Sequence, residues 1–524
     1  MIFKVIPNKE RIPIGLTNIV ILLEDRWDDW FKFSTMYNVI YYDSEGSSQR
    51  IGEVKIGQFG MASGQRSPNI SDEFEELNDE FFSLGQDDSY YQVLNDLGDD
   101  FRDEFLTALR DVARDEDLFE RTLAEEVTGI SLLRSVSDQS VRGQFRRMAH
   151  GGARLTSFSF SYTPPPWSKG SETPTFDFKV VPESSPSTNV HVLIGRNGVG
   201  KTHTVNLMTN ALVRPENDGE DFGTLTCDNH DAFDVEPETF PNIISVTFSA
   251  FDPFEPLSNR ENKASGIRYH YIGLKHITKD ADGKPKPPKS PDVLAADFGK
   301  SVQLIVTQTA KSDRWRHAIS LLESDRIFRR AEVWKLIDLY EQLTDKEDTR
   351  AAFDELRKEA RKLYMKLSSG HKIVLLSITK LIETLEERSL VLLDEPEAHL
   401  HPPLLAAFIR ALSNLLINRN GVAIIATHSP VILQEVPRTC VWRIRRVGKS
   451  IRIERPALET FGENVGALTH EIFGLEVTES GFHKLLSDVI EEGLSYEQIL
   501  EKFDGQLGDE ARAIARSLIA TRYQ

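Results

Sequence analysis

A glycine-rich loop that ends in Lys–Thr constrains this chain more than any other part of its sequence. The loop consists of Gly195, Arg196, Asn197, Gly198, Val199, Gly200, Lys201 and Thr202. It lies between an apolar run at 190–194 and a helical pattern at 202–212, the context that a G-x-x-x-x-G-K-[ST] loop requires. Its glycines let backbone N–H groups turn inward around an anion, and the helix N-terminus adds its dipole. The sequence therefore predicts a phosphate-binding loop in an α/β fold.

The loop predicts a site for ATP and Mg²⁺. Lys201 is expected to reach the β- and γ-phosphates, and the Thr202 hydroxyl is expected to ligate Mg²⁺. After Ser389, residues 390–393 form an apolar run, typical of a parallel strand buried on both faces, and Asp394 and Glu395 follow it. Two carboxylates are costly to bury without a purpose. We therefore expect Asp394 to hold Mg²⁺ through water and Glu395 to act as the general base.

Two further elements extend the pattern. His428 follows another apolar run at 422–427, where it would lie near the γ-phosphate as a sensor. Ser368 and Gly370 belong to a small polar turn that opens a helical run. Such a turn is ordinary N-cap chemistry as well as an anion-ready helix start. Its position about two dozen residues before Asp394 makes it informative.

In this order the four elements resemble the ABC ATPase superfamily, with Walker A at 195–202, a signature at 367–372, Walker B at 389–395 and a switch histidine. The string Asp394-Glu395-Pro396-Glu397-Ala398-His399-Leu400-His401-Pro402 is similar to the non-transporter branch, which includes RecF-like, OLD-like and bacterial defence ATPases. In this class the signature serine of one subunit contacts the γ-phosphate bound by the other. The resemblance implies a homodimer or higher oligomer in which Ser368 and Gly370 act in trans.

The chain departs from the superfamily pattern at several positions. After the strand that usually precedes a glutamine, it offers only Asp252 as a candidate for coupling the metal to the helical lobe. Ser369 and His371 replace the usual Gly and Gln of the signature, and His401 replaces the usual aspartate after Walker B. His399 and His401 raise the alternative of a metal pair, which the family context disfavours.

Composition shifts divide the chain into three predicted parts. Residues 1–150 form an α+β accessory lobe of unknown role, in which β-prone runs give way from about Asp72 to an acidic helical pattern. Residues 151–455 form the ATPase head, with a helical insert at about 260–365, and residues 456–524 form a helical C-terminal tail. The predicted fold class is α/β: an ABC-type P-loop ATPase head with these additions.

The composition indicates a cytoplasmic protein. No apolar stretch approaches the roughly 20 residues of a membrane helix, and the N-terminus lacks the apolar segment of a signal peptide. Cys227 and Cys440 have no zinc-type spacing, so neither a disulfide framework nor a thiolate metal site is expected. A formal net charge of −19 counts against binding nucleic acid over the whole surface. Local patches at 146–147, 329–330 and 443–452 keep DNA open as a partner.

Three functions are compatible with these motifs. No Asp-x-Asp pair follows His428, so a fused Toprim nuclease of the OLD type is not expected, and the tail is similar to Septu-type anti-phage ATPases, which work with a separate HNH nuclease. The favoured hypothesis is an ATP-hydrolysing switch subunit of a prokaryotic defence complex that controls such an effector. A RecF-like DNA repair ATPase is the alternative, which the net charge disfavours. A transporter motor shares the motifs, but the long insert argues against it.

Overall fold

A computed structural model describes most of the chain: residues 1–8, 10–25, 32–61, 64–166, 173–214, 221–228, 240–248, 254–260, 267–278, 284–344, 349–447, 450–474 and 481–522. Asp252, the candidate coupling residue, lies outside these ranges. None of the helices within them combines the length and the apolar character needed to cross a bilayer.

The N-terminal lobe is built on a six-stranded sheet. Its strands are β1 (Ile2–Ile6), β2 (Ile19–Glu24), β3 (Met36–Tyr42), β4 (Ser48–Gln58), β5 (Glu73–Phe74) and β6 (Phe81–Gly85). They lie in the order β5-β1-β2-β3-β4-β6, in which β1 and β2 are parallel and the other described pairs are antiparallel. The helical pattern expected from about Asp72 is wrong at its start. Every residue of β6 is buried, and the strand pairs with β4 before any helix begins.

Helices cover this sheet and close the core of the lobe. They are α1 (Asp88–Asp96), α2 (Asp99–Ala108), α3 (Glu116–Thr122), α4 (Asp138–Ser140) and α5 (Arg146–Ala149), with π-helical turns at Thr128–Leu132 and Val141–Phe145. Phe82, Tyr90 and Phe105 are fully buried between sheet and helices. The lobe therefore has a hydrophobic core of its own.

The head has a mostly parallel central sheet. Its described strands are β7 (Phe158–Thr163), β8 (Phe176–Val180), β9 (Val190–Gly195), β10 (Thr224–Asp228), β11 (Asn242–Thr247), β12 (Arg268–Gly273), β13 (Leu390–Asp394), β14 (Val422–Thr427), β15 (Val441–Val447) and β16 (Ser450–Glu454). Seven of them form the order β12-β11-β13-β14-β9-β15-β16, with only β16 antiparallel to its neighbour. Every residue of β9, β13 and β14 is buried. Their carboxyl ends meet at one edge, where open α/β sheets bind ligands, and the α/β prediction is confirmed.

Helices cover both faces of this sheet and continue into the tail. They are α6 (Lys201–Val213), α7 (Pro291–Val306), α8 (Thr309–Leu322), α9 (Arg326–Ala331), α10 (Lys335–Thr344), α11 (Thr349–Met365), α12 (Ser369–Thr384), α13 (Pro402–Asn418), α14 (Pro430–Leu433), α15 (Val465–Phe473), α16 (Gly481–Glu491), α17 (Tyr496–Lys502) and α18 (Asp509–Arg522). Helices α7 to α13 share one core around the fully buried Trp315, whereas α6 and the small sheet β10-β7-β8 cover the opposite face. The helical part of the insert begins at Pro291, because β12 belongs to the central sheet. The tail helices α16 to α18 enclose a small core of their own.

Buried ion pairs join the lobe to the head. We define the lobe junction as Asp87, Asp88, Arg154, Arg314 and Arg419. Asp88 is fully buried, with Oδ2 2.6 Å from Arg154 Nε and Oδ1 2.5 Å from Arg419 Nη1, and Asp87 Oδ2 lies 2.9 Å from Arg314 Nη2. Burial raises the pKa of Asp87, but Arg314 and Arg419 outweigh it and hold the pKa well below its ordinary value. Because Arg314 lies on α8, the lobe is tied to the helical insert.

Candidate ATPase site

The phosphate loop takes its shape from three glycines. Gly198 and Gly200 have φ angles of 79° and 100°, a region that glycine enters without steric cost. A Cβ at Gly195 would lie 2.4 Å from the backbone oxygen of Ile444 on the neighbouring strand β15. The loop can therefore turn sharply from β9 into α6, with backbone N–H groups at the start of the helix available to an anion.

Lys201 lies at the start of α6 and is buried. Its Nζ donates to the carbonyl oxygens of Gly195 and Arg196, each at 3.0 Å. Burial lowers the pKa of this amine, although the nearby carboxylates of Glu395, Asp394 and Glu397 act in the opposite direction. An amine already held at the loop by two of its carbonyls can bind phosphate oxygens there.

Thr202 and Asp394 form the candidate magnesium site. Thr202 Oγ1 donates to Asp394 Oδ1 at 3.0 Å, which joins the first turn of α6 to the end of β13. Hydroxyl and carboxylate oxygens are the ligands that Mg²⁺ prefers, usually alongside waters and substrate phosphates. The donor set fits the ion, and Thr202 and Asp394 would hold it. When bound, Mg²⁺ would neutralise charge on the phosphates.

Glu395 follows Asp394 in an unusual backbone conformation. Its φ of 44° and ψ of 56° place it in the left-handed region, which costs a residue other than glycine about 1–3 kcal/mol. Its N–H donates to the carbonyl of Ala426 at 2.9 Å, so the main chain stays attached to β14. The side chain is 31% exposed, and its Oε1 lies 3.5 Å from His428 Nδ1. A water molecule can reach this carboxylate, as a general base requires.

Sequence reasoning assigned no role to Glu397, which the structure places beside His428. Its Oε1 accepts hydrogen bonds from Thr427 Oγ1 at 2.5 Å and from the backbone N–H of His428 at 2.9 Å, and it lies 3.2 Å from His428 Nδ1. Its Oε2 is buried without a hydrogen-bond partner among the described residues. The only local signal was a third carboxylate in this stretch, directly after Pro396. Glu397 holds His428 in place and leaves one acceptor oxygen for a further polar group.

The signature turn begins α12. Ser368 is exposed at the N-cap position, yet its side chain makes no capping hydrogen bond. Instead its Oγ lies 2.6 Å from Nδ1 of His371. A Cβ at Gly370 would lie 2.6 Å from the backbone oxygen of His399, so the turn fits closely against the loop after β13. The structure thus brings Lys201 and the Walker B carboxylates together, whereas the described hydrogen bonds of Ser368 stay within its own turn.

The remaining predicted residues have varied surroundings. Val199 is buried and Asn197 is exposed, and Arg196 Nη2 donates to the carbonyl of Phe473 in the tail at 3.4 Å. Two arginines of the basic patches are buried in ion pairs, Arg147 with Glu387 and Arg443 with Glu454 and Glu471. Both arginines therefore have partners within the chain. Neither Cys227 nor Cys440 forms a disulfide.

Comparisons with known proteins place the site in a family context. Residues 190–434 match the family described as "AAA domain, putative AbiEii toxin, Type IV TA system". Over 532 residues the sequence is 40% identical to "Protein ea59" of Escherichia phage lambda, covering 99% of this chain and 98% of that protein. The matched family segment runs from the start of β9 into the residues just after α14, and it includes every predicted site residue.

Solved structures similar to the chain include ATP-binding cassettes of ABC transporters. One, in an ADP conformation, is 11% identical with a TM-score of 0.29, covering 62% of this chain and 98% of that chain. Another, nucleotide-free, is 13% identical with a TM-score of 0.24, covering 53% of this chain and 85% of that chain. Scores this low do not establish a shared arrangement, so the fold assignment rests on the family match, the strand order and the phosphate loop.

Proposed function

Because this chain belongs to the family of protein ea59 of Escherichia phage lambda and contains a P-loop ATPase domain, we propose that it is a nucleotide-driven switch. It hydrolyses ATP with Mg²⁺, closes head to head on a second copy of itself, and controls a separate effector. The observation that carries this proposal is the uncapped start of α12. The free N–H groups of a helix's first turn attract an anion, and Ser368 leaves them without a side-chain acceptor.

The γ-phosphate of a second subunit's nucleotide is the anion that fits this helix start. The signature serine is exposed, and its described hydrogen bonds stay within its own turn. Two identical heads related by a two-fold axis would present the start of α12 from each subunit to the phosphate loop of the other. ATP bound between them would hold the dimer closed, and hydrolysis would release it.

Within one subunit the residues suit hydrolysis of the terminal phosphate. Lys201 and the N-terminus of α6 would bind the phosphates, and Thr202 and Asp394 would hold Mg²⁺. Glu395 would accept the proton of the attacking water, and His428, fixed by Glu397, would contact the γ-phosphate. This agrees with the short distances that connect these side chains to one another.

The attachment of the N-terminal lobe supports a switch that acts on a partner. Arg314 of α8 is paired with Asp87 of the lobe, and the backbone N–H of Thr309 at the start of α8 donates to Glu53 of β4 at 2.9 Å. Helix α8 packs in the same core as α12. A movement of the helical insert during dimer closure would therefore reach the lobe. We propose that the lobe contacts the effector, an HNH-type nuclease in an anti-phage defence complex. The description of the matched family, which names a toxin–antitoxin system, supports a role of this kind.

A complementation experiment tests the shared site. Lys201→Ala destroys the phosphate loop, and Ser368→Arg blocks the signature that would act in trans, so each variant alone should be inactive. In a mixture, random pairing makes half of the dimers mixed, each with one intact composite site, and ATPase activity should return to about a quarter of the wild-type rate. A mixture as inactive as its components would contradict the head-to-head dimer.

A pull-down tests the effector. Glu395→Gln, loaded with Mg-ATP and captured from its own host, should retain a stoichiometric nuclease that the Ser368→Arg variant does not retain. Recovery of DNA alone, in a manner sensitive to salt, would favour the DNA-repair alternative.

A further inference from the structure

Three side chains, connected in series by hydrogen bonds, link the signature serine to the helical insert. Ser368 Oγ lies 2.6 Å from His371 Nδ1, and His371 Nε2 lies 3.0 Å from Asp325 Oδ1. His371 is only 3% exposed, and its ring lies 5.0 Å from that of Phe328 on α9. Asp325 is the N-cap of α9, so this series of hydrogen bonds connects α9 to α12, which are distant in sequence.

The hydrogen bonds fix which atom carries each proton. Burial raises the pKa of Asp325, but hydrogen bonds from His371 and from the backbone N–H groups of Ile327 and Phe328 outweigh it and lower the pKa. An ionised carboxylate only accepts, so His371 Nε2 is the donor. In a neutral imidazole Nδ1 is then the acceptor, and the Ser368 hydroxyl donates a hydrogen bond to it. In this state the serine offers only lone pairs to its surroundings.

A phosphate group also only accepts hydrogen bonds, so this arrangement has the wrong polarity for γ-phosphate binding. We propose that His371 is a positioning residue that takes up one proton when the partner subunit's γ-phosphate reaches Ser368. Nδ1–H of the imidazolium then donates to Ser368 Oγ, and the serine proton turns to the phosphate. Asp325 is the counter-ion of the imidazolium. The proton comes from solvent as the dimer closes and returns to solvent as it opens. This inference rests on the proposed head-to-head dimer.

Among the described residues, His401 is a further titratable group at this position, and it comes from the loop after β13. Its ring lies 6.3 Å from that of His371, and its Nε2 lies 3.8 Å from Asp325 Oδ2. Ligand-type atoms of Asp325, His371 and His401 come within 4.8 Å of one another, a separation that a metal ion could bridge. However, His401 Nδ1 accepts a hydrogen bond from Leu404 N–H at 3.4 Å, so in its neutral ring the proton is on Nε2, facing the carboxylate. Both imidazoles thus direct N–H groups at Asp325, which favours a proton network over a metal site.

The pH dependence of ATP hydrolysis tests the proposal, with two substitutions that preserve shape. His371→Gln keeps a donor and an acceptor but cannot titrate. Asp325→Asn keeps a side-chain oxygen that can cap α9 but removes the counter-charge. We expect wild-type kcat to fall on the alkaline side of its pH profile. In Asp325→Asn this alkaline limb should move to lower pH, because the variant lacks the neighbouring opposite charge. In His371→Gln the alkaline limb should move to higher pH, and kcat near neutrality should stay within about fivefold of wild type.

Nucleotide affinity provides the readout that separates positioning from folding. Both variants should bind a fluorescent ATP analogue as tightly as the wild type, because their own phosphate loop is unchanged, so the effect should fall on kcat. An alkaline limb that is identical in all three proteins would overturn the role of His371. A zinc ion found by native mass spectrometry in the wild type and lost in His371→Gln would overturn it in favour of a metal site.

Failure of this inference can be distinguished from failure of the dimer. If the Lys201→Ala and Ser368→Arg mixture recovers activity while His371→Gln keeps the wild-type pH profile, only the proton step is wrong. If the mixture stays inactive, the dimer is wrong, and the role of His371 falls with it.

Discussion

The lobe junction and the ATPase site are both rich in charge, yet their charges are satisfied differently. At the junction, Asp88 is fully buried and meets two arginines of the same chain. At the site, Lys201 is held by carbonyls of its own loop, and Glu397 keeps one buried oxygen without a partner among the described residues. At the junction the buried carboxylates are paired with arginines of the same chain, whereas at the site a carboxylate oxygen is left for a further polar group. The difference separates charges that maintain the structure from charges that are available to the proposed nucleotide.

Breaking the junction should have the largest effect on stability. Arg419→Met removes a cation that pairs with Asp88 and Asp87, leaving buried carboxylates short of a partner. Loss of one partner from a buried pair costs about 3–5 kcal/mol, so chemical denaturation should show a destabilised lobe–head unit. Arg445→Met removes a half-exposed partner of Glu454 and should cost less than about 1 kcal/mol. Equal losses in both variants would show that the junction does not maintain the structure.

Removing the cation of the site should affect ligand binding instead. Lys201→Ala should weaken ATP binding at least about 100-fold, or roughly 3 kcal/mol, and abolish the rise in Tm that Mg-ATP gives the wild type. The Tm without nucleotide should stay near the wild-type value. Lys311 is a half-buried lysine far from the phosphate loop in sequence, and desolvation lowers its pKa to about 8. Lys311→Met should keep the rise in Tm that Mg-ATP produces. If Lys311→Met also lost this rise, the distinction between the lobe junction and the ATPase site would disappear.

The smallest effect on stability is expected at Asp111, a buried carboxyl that has no described arginine partner. The pKa of Asp111 is shifted in the opposite direction to that of Asp87. Burial raises the pKa of Asp111 to about 7, despite hydrogen bonds from Ala113 N–H, Gly85 N–H and Tyr91. Between about pH 4 and 7 the folded state holds a proton that the unfolded state has lost, so this group's contribution to stability falls as pH rises through that window.

Asp111→Asn cannot lose that proton. Its stability relative to the wild type should increase by about 1 kcal/mol for each pH unit between 5 and 7 and level off above 7. Urea denaturation of both proteins at several pH values measures this difference. A constant difference across the window would show that Asp111 is already ionised.

Local sequence patterns predicted the parts of the fold that depend on neighbouring residues. The apolar runs before Gly195, Asp394 and His428 are strands, and the phosphate loop and signature turn each begin a helix. The start of the lobe's helices was misplaced because Phe81–Gly85, buried on both faces, has no alternating pattern to mark it as a strand.

Contacts between distant segments could not be predicted in this way. Asp88 and Arg419 are separated by 331 positions, and Asp325 and His371 by 46. Glu397 obtains its role from Thr427 and His428, which reach it only when β13 and β14 pair. No local period or spacing encodes these pairings, since they depend on the order of strands and helices in the folded head.

The central claim, that the carboxylates at the end of β13 form a magnesium-dependent ATPase site, is tested most directly by Glu395→Gln. Single-turnover hydrolysis of labelled ATP should slow by about a thousandfold, while the dissociation constant of Mg-ATP stays within about threefold of wild type. Glu454→Gln, an exposed change on β16, should alter neither quantity. Hydrolysis by Glu395→Gln at near the wild-type rate, or wild-type hydrolysis that is unaffected by removing Mg²⁺, would contradict the account.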